Sequence, residues 1–224
     1  MSGITLPHQN LVCQWMALHG VHAVGIGLVA GGEVMAINVY GELSKGIVAP
    51  QNTVWSSKAL ADALSVFTHK QVEEAGDVAT VDIFAGLDMP DTELGDAIAV
   101  LNRLARPHNN RDGIYVFKPY DTKQHLFTTV GDFCKLLIHI NQLPNVGALL
   151  GTSTEPGALV GGWKYWAGMP GSEDGFINYT AGNGASHFIL LLPQSRQGLV
   201  IFTNSDNGGR VVDCILKFVG IEVG

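Results

Sequence analysis

Ser56, Ser57 and Lys58 stand side by side, and by residue type they are the part of this chain best equipped for covalent chemistry. A serine hydroxyl is a potential nucleophile for acyl transfer, and an amine can take its proton. The N-terminus of a helix favours the negative charge that develops. A helix is expected to start here, because Leu60, Ala63, Leu64 and Phe67 follow the i, i+3, i+4, i+7 spacing of one buried face. Either serine is suited to cap that helix, and Lys58 to sit solvated in its first turn, so a purely structural role stands beside the catalytic one. Tyr179 lies in a strand-like run, where it is either a proton-transfer group or a tyrosine packed on its neighbour. Trp163, Tyr165 and Trp166 either line a pocket or cover a sheet.

Other chemistries find less support. Gly25-Ile26-Gly27-Leu28-Val29-Ala30 fits a dinucleotide-binding fingerprint on paper, but that motif opens a helix. Here Gly31-Gly32 and a second alternating run follow, which reads as a hairpin. His19 and His22 flank a turn and the other histidines are scattered, with no carboxylate or cysteine at ligand spacing, so no metal and no cofactor are expected. Net charge is −7 with no basic run, which argues against nucleic acid as a partner. Apolar stretches such as Phe188 to Pro193 are strand-sized, so no membrane span is expected. Met1 to Trp15 carries no signal-type segment, and a cytoplasmic location is the expectation. Cys13, Cys134 and Cys214 all fall in helical patterns and read as buried free thiols.

The elements that would position the serines can be read in order. Residues 8–19 form an amphipathic helix with Leu11, Trp15 and Leu18 on one face. His22 to Ala30 and Glu33 to Gly41 are the two arms of the hairpin. A helix over 56–74 follows, then a region, 77–127, with a helical stretch at Ala97 to Arg106 and a short strand at Gly113 to Phe117. Thr128-Thr129 with Asp132 opens a helix over Val130 to Leu143, whose apolar face carries Phe133, Leu136, Leu137 and Ile140, and Pro144 stops it. Gly147 to Gly162 reads as loop. Phe176 to Ala181, Ser186 to Pro193 and Gly198 to Asn204 are three strands, and Arg210 to Val219 is the last helix. Two strands at one end and three at the other make one antiparallel sheet with helices on both faces, an α/β (α+β) domain filling all 224 residues.

Four patches resemble the serine β-lactamase and penicillin-binding-protein superfamily, nearest its class C and esterase-like branch. They are the hairpin at 20–41, the segment Thr53 to Gly76, the helix start Leu126-Phe127-Thr128-Thr129-Val130-Gly131-Asp132-Phe133, and Phe176 to Gly208. The resemblance implies a five-stranded antiparallel sheet flanked by helices, with a reduced helical insertion at 77–127. It also implies a Ser-x-x-Lys motif, a middle Tyr-x-Asn or Ser-x-Asn motif, and a basic-x-Gly motif on the third strand. The sequence departs from all three. Three residues before Lys58 stands Trp55, and on a helix the neighbouring and i+2 positions diverge by roughly 100° and 200° from the lysine. Tyr179-Thr180-Ala181 aligns with the strand motif, and Gly182 is left to supply an oxyanion N–H. Ser205-Asp206-Asn207 matches the middle motif but falls after the strand motif, and reads as a turn and helix cap.

Two functions follow from this. One is a β-lactamase-like protein with a degenerate active site and no efficient acyl transfer, in a binding role (with a small ester or amide as ligand) or a vestigial one. The other is a weak serine hydrolase, with Ser57 or Ser56 as nucleophile, Lys58 as base, Tyr179 as proton relay, and Thr180, Ala181 and Gly182 lining the substrate and oxyanion side.

Overall fold

Gly31 and Gly32 adopt left-handed φ of 62° and 83°, a conformation glycine takes without steric cost, and they turn β1 (Ala23–Ala30) back into β2 (Glu33–Ser44). The architecture comes from a computed structural model that describes residues 4–64, 67, 83–95, 98–109, 125–150, 161–168 and 173–222. Before the hairpin lies α1 (Gln9–His19), closed by Gly20 at φ 65°. After it come β3 (Ile47–Val48), β4 (Val54–Ser57), and α2, helical over residues 58–64 and at 67. Next are α3 (Ile83–Gly86), β5 (Glu93–Leu94), a 3₁₀ segment at Ile98–Arg103, β6 (Leu126–Thr129), α4 (Val130–Gln142) and α5 (Val146–Leu149). The chain ends with β7 (Trp163–Trp166), β8 (Gly175–Gly182), β9 (Ala185–Leu192), β10 (Gln197–Thr203) and α6 (Gly208–Val219).

The main sheet has seven strands, in the order β3-β2-β1-β10-β9-β8-β7, rather than five. Its inner strands, β2-β1-β10-β9-β8, are those read from the sequence, and the additions are short edge strands at 47–48 and 163–166. Every pairing within it is antiparallel. Both faces of the sheet are covered. Val200, Phe202, Ile189 and Leu191 meet Leu60, Phe133 and Leu137 from α2 and α4. Leu199, Ile201, Phe188 and Leu190 meet Val12 and Met16 of α1 and Val211 and Ile215 of α6. Burial on both faces explains why β9 and β10 read as unbroken apolar runs.

Helix α4 lies almost on the backbone of β1. A Cβ added at Gly25 would come within 2.6 Å of Val130 Cγ2 and 2.9 Å of Trp55 Cζ2, and one at Gly27 would strike Cys134 Sγ. The glycine pattern thus serves close packing of a helix on a strand, and β1 runs straight through it into the hairpin. Thr129 caps α4 by accepting the Asp132 N–H at 3.1 Å.

Several expectations change. On α1 the buried residues are Val12 and Met16, while Leu18 is 74% exposed. Only Cys134 is a buried thiol; Cys13 is exposed and Cys214 half-buried. The stretch at Ile98–Arg103 is 3₁₀ rather than α-helix, and α5 occupies part of the expected loop after Pro144. The strand expected at 113–117, the end of α2 and much of the 77–127 region lie outside the described residues. Among the described residues, no helix is long and apolar enough to cross a membrane.

Candidate functional site

Neither serine sits in the helix. Val54–Ser57 is a strand, paired antiparallel with β6 so that Trp55 faces Thr128, Ser56 faces Phe127 and Ser57 faces Leu126. Val54, Trp55, Phe127 and the threonines are strand-favouring residues, and this pairing delays the helix to Lys58. Ser57 is its cap: the hydroxyl accepts the Ala59 N–H at 3.1 Å. Trp55 is buried in the core, its ring 6.2 Å from that of Phe202. The helical phase counted back from Lys58 therefore does not extend to Trp55.

Ser56, buried on the strand, has a partner that sequence reasoning missed. Its Oγ lies 2.9 Å from Nδ1 of His125. His125 immediately precedes β6, and its carbonyl accepts the Gly95 N–H at 3.0 Å, so the three-stranded β4-β6-β5 sheet fixes the ring beside the serine. Lys58 is engaged elsewhere. Its Nζ is 3.2 Å from Asp62 Oδ2, one turn on along α2, and both side chains are more than half exposed.

Ser56, Ser57, Lys58 and His125 line one side of a cavity of about 220 Å³, and Thr180, Ala181, Gly182 and Asn183 line the other. The third-strand residues thus come opposite the serines. Tyr179 does not share this cavity. It pairs with Phe188, which belongs to the layer under α1 and α6, and its hydroxyl lies against Gly209 at the start of α6. Burial, with Asp213 nearby, raises the Tyr179 pKa above its ordinary value. Because side chains alternate along a strand, Thr180, paired with His187, is the residue that points to the serine side. The site-facing register on β8 is therefore one residue later than Tyr179-Thr180-Ala181.

Beyond Asn178 the outer edge of β8 has no strand partner among the described residues, since β7 pairs only with residues 175–178. The backbone of 179–182 borders the open side of the site. A neighbouring cleft of about 400 Å³ runs along this edge, lined by Ala59, Asp62, Gly161, Gly162, Asn178, Tyr179 and Thr180.

A second missed histidine lies beneath the serine. His187 is 1% exposed, packs edge-on to Phe202 at 5.0 Å, and neither ring nitrogen has a hydrogen-bond partner among the described residues. Desolvation lowers its pKa to about 3; the Ser56 backbone opposes the shift, and the charge of His125 adds to it. The ring is therefore neutral at physiological pH. Its signal in the sequence was a lone imidazole inside the apolar run of β9.

No protein-family model matches the sequence, and no curated protein sequence does. Solved structures do match. The D-alanine carboxypeptidase AmpC of Burkholderia cenocepacia is 12% identical, with a TM-score of 0.76 over 94% of this chain and 96% of that one. A class C β-lactamase of Rhodobacter sphaeroides is 11% identical, with a TM-score of 0.72 over 94% and 99%. The octameric penicillin-binding protein homologue of Pyrococcus abyssi is 11% identical, with a TM-score of 0.68 over 96% and 77%. The chain has the fold of the class C β-lactamases and penicillin-binding-protein homologues.

Proposed function

We propose that this is a β-lactamase-like protein with a degenerate active site, whose polar pocket holds a small ester- or amide-bearing molecule without efficient acyl transfer. One observation carries this reading. The Lys58 amine is paired with Asp62 on the solvent side, while Ser56 is hydrogen-bonded to His125, so serine and lysine are not coupled. Ser57 is occupied in capping α2. A fold does not perform chemistry without its site, and among the described residues no contact joins the Lys58 amine to either serine, which supports loss of the serine–lysine pairing that the resemblance implies. The test is turnover of a chromogenic cephalosporin by the purified chain, compared with a Ser56→Ala, Ser57→Ala double variant. Equal rates, both at the buffer background, are expected; hydrolysis by the parent that the double variant loses would overturn the reading.

A weak serine hydrolase is the second reading. It is favoured by the convergence of Ser56, Ser57 and Lys58 with Thr180, Ala181 and Gly182 on one cavity. In its first form Lys58 is the base and the Gly182 N–H an oxyanion donor, while Tyr179, expected as the relay, turns toward α6 and away from this cavity. Nitrophenyl-ester hydrolysis that the double serine variant abolishes is its expected result.

A further inference from the structure

We propose that Ser56 and His125 form a nucleophile–base pair that acts on small activated esters. The inference rests on the hydrolase reading above and replaces its base. A general base must lie within hydrogen-bond reach of the proton that it removes, and the 2.9 Å contact from Ser56 Oγ to His125 Nδ1 meets that requirement. No such contact joins Lys58 to either serine among the described residues, and its amine is held by Asp62. Both members of the pair line the cavity, so an acyl group lodged there meets the hydroxyl and the imidazole together.

The chemistry balances without a co-reactant other than water. With the ring proton on Nε2, His125 Nδ1 takes the Ser56 proton as Oγ attacks the ester carbonyl. The tetrahedral intermediate collapses, and the leaving alcohol or phenol takes that proton from the imidazolium, leaving acyl-Ser56. Water then attacks the acyl group and gives a proton to His125. The proton returns to Ser56 Oγ as the carboxylic acid departs.

The substrate class follows from the space. At about 220 Å³ the cavity is below the range of about 300–1,000 Å³ usual for drug-sized ligands, which favours acetyl- or propionyl-sized groups over a fused bicyclic lactam. Among the described residues no strand pairs with the outer edge of β8 beyond Asn178, and the leaving group would extend along this edge toward the neighbouring cleft.

The experiment measures p-nitrophenyl acetate hydrolysis by the full chain and by Ser56→Ala, His125→Gln and Lys58→Ala variants, each checked for folding by thermal melting. Loss of about 100-fold or more is expected for Ser56→Ala and His125→Gln, and a loss at least about tenfold smaller for Lys58→Ala, because Lys58 lines the cavity without contacting Ser56 among the described residues. The parent's rate should rise with pH through the imidazole range, about pH 5.5–7.5. Loss in Lys58→Ala with activity kept in His125→Gln would overturn the proposal and leave the hydrolase reading standing with lysine as base. A parent no faster than buffer would overturn both. If the His125 variant does not fold, the parent's pH profile decides: a rate that climbs only above about pH 9 would exclude an imidazole base.

Discussion

At the scale of single residues, Ser56, Lys58 and His187 carry most of the argument. Lys58 has a partner in Asp62 and Ser56 has one in His125, so each of the residues that would form a catalytic couple is already committed. His187 is buried within the apolar run of β9, and its burial has a thermodynamic consequence. Its pKa is about 3 in the folded chain and about 6.5 when unfolded. The unfolded state therefore binds the proton first. The stability tied to this ring is fully present above about pH 6.5 and is lost as pH falls toward 3, at no more than about 1.4 kcal/mol per pH unit. Urea unfolding between pH 7.5 and 4 should show this decline, and a His187→Leu variant should flatten it. An unchanged slope in the variant would mean that other groups govern the acid sensitivity. Ser56, Ser57 and Lys58 were legible as candidates, because hydroxyls and an amine at a helix start are a local signal. His125 and His187 were not, since neither belongs to a motif and their relation to Ser56 depends on strand pairings that join distant parts of the chain.

At the scale of elements, two pairings decide the geometry of the site. The β4–β6 ladder draws Val54–Ser57 into a strand and starts α2 at Lys58. Helical periodicity in Leu60, Ala63, Leu64 and Phe67 was read correctly, but it cannot show where the helix begins when a distant strand, with Leu126 opposite Ser57 and Phe127 opposite Ser56, competes for the same residues. On β8 the alternation was legible, yet its phase was not. Pairing with Phe188 sends Tyr179 toward α6 and leaves Thr180 facing the serine side. The packing of α4 on β1 gives a direct test at this scale. A methyl at Gly25 would stand within 2.6 Å of Val130 and 2.9 Å of Trp55, neither of which has room to withdraw in the core. Gly25→Ala should therefore destabilise the chain by about 1–3 kcal/mol through overpacking, read as a lower urea midpoint. A midpoint within about 0.3 kcal/mol of the parent would show that α4 does not sit this close to β1.

At the scale of the molecule, the sheet covered by helices on both faces has the fold of the class C β-lactamase structures, and one cavity of it is lined by Ser56, Ser57 and Lys58. The order of helices and strands gave the inner strands of that sheet, since hairpin glycines and apolar runs are local and strong signals. The edge strands β3 and β7 escaped because they are short and one is rich in aromatic residues that read equally well as pocket lining. The central claim is that the scaffold persists while its serine–lysine chemistry does not. The most direct measurement is the intact mass of the purified chain after incubation with excess benzylpenicillin. The account predicts an unshifted mass; a stoichiometric penicilloyl adduct mapping to Ser56 or Ser57 would contradict it.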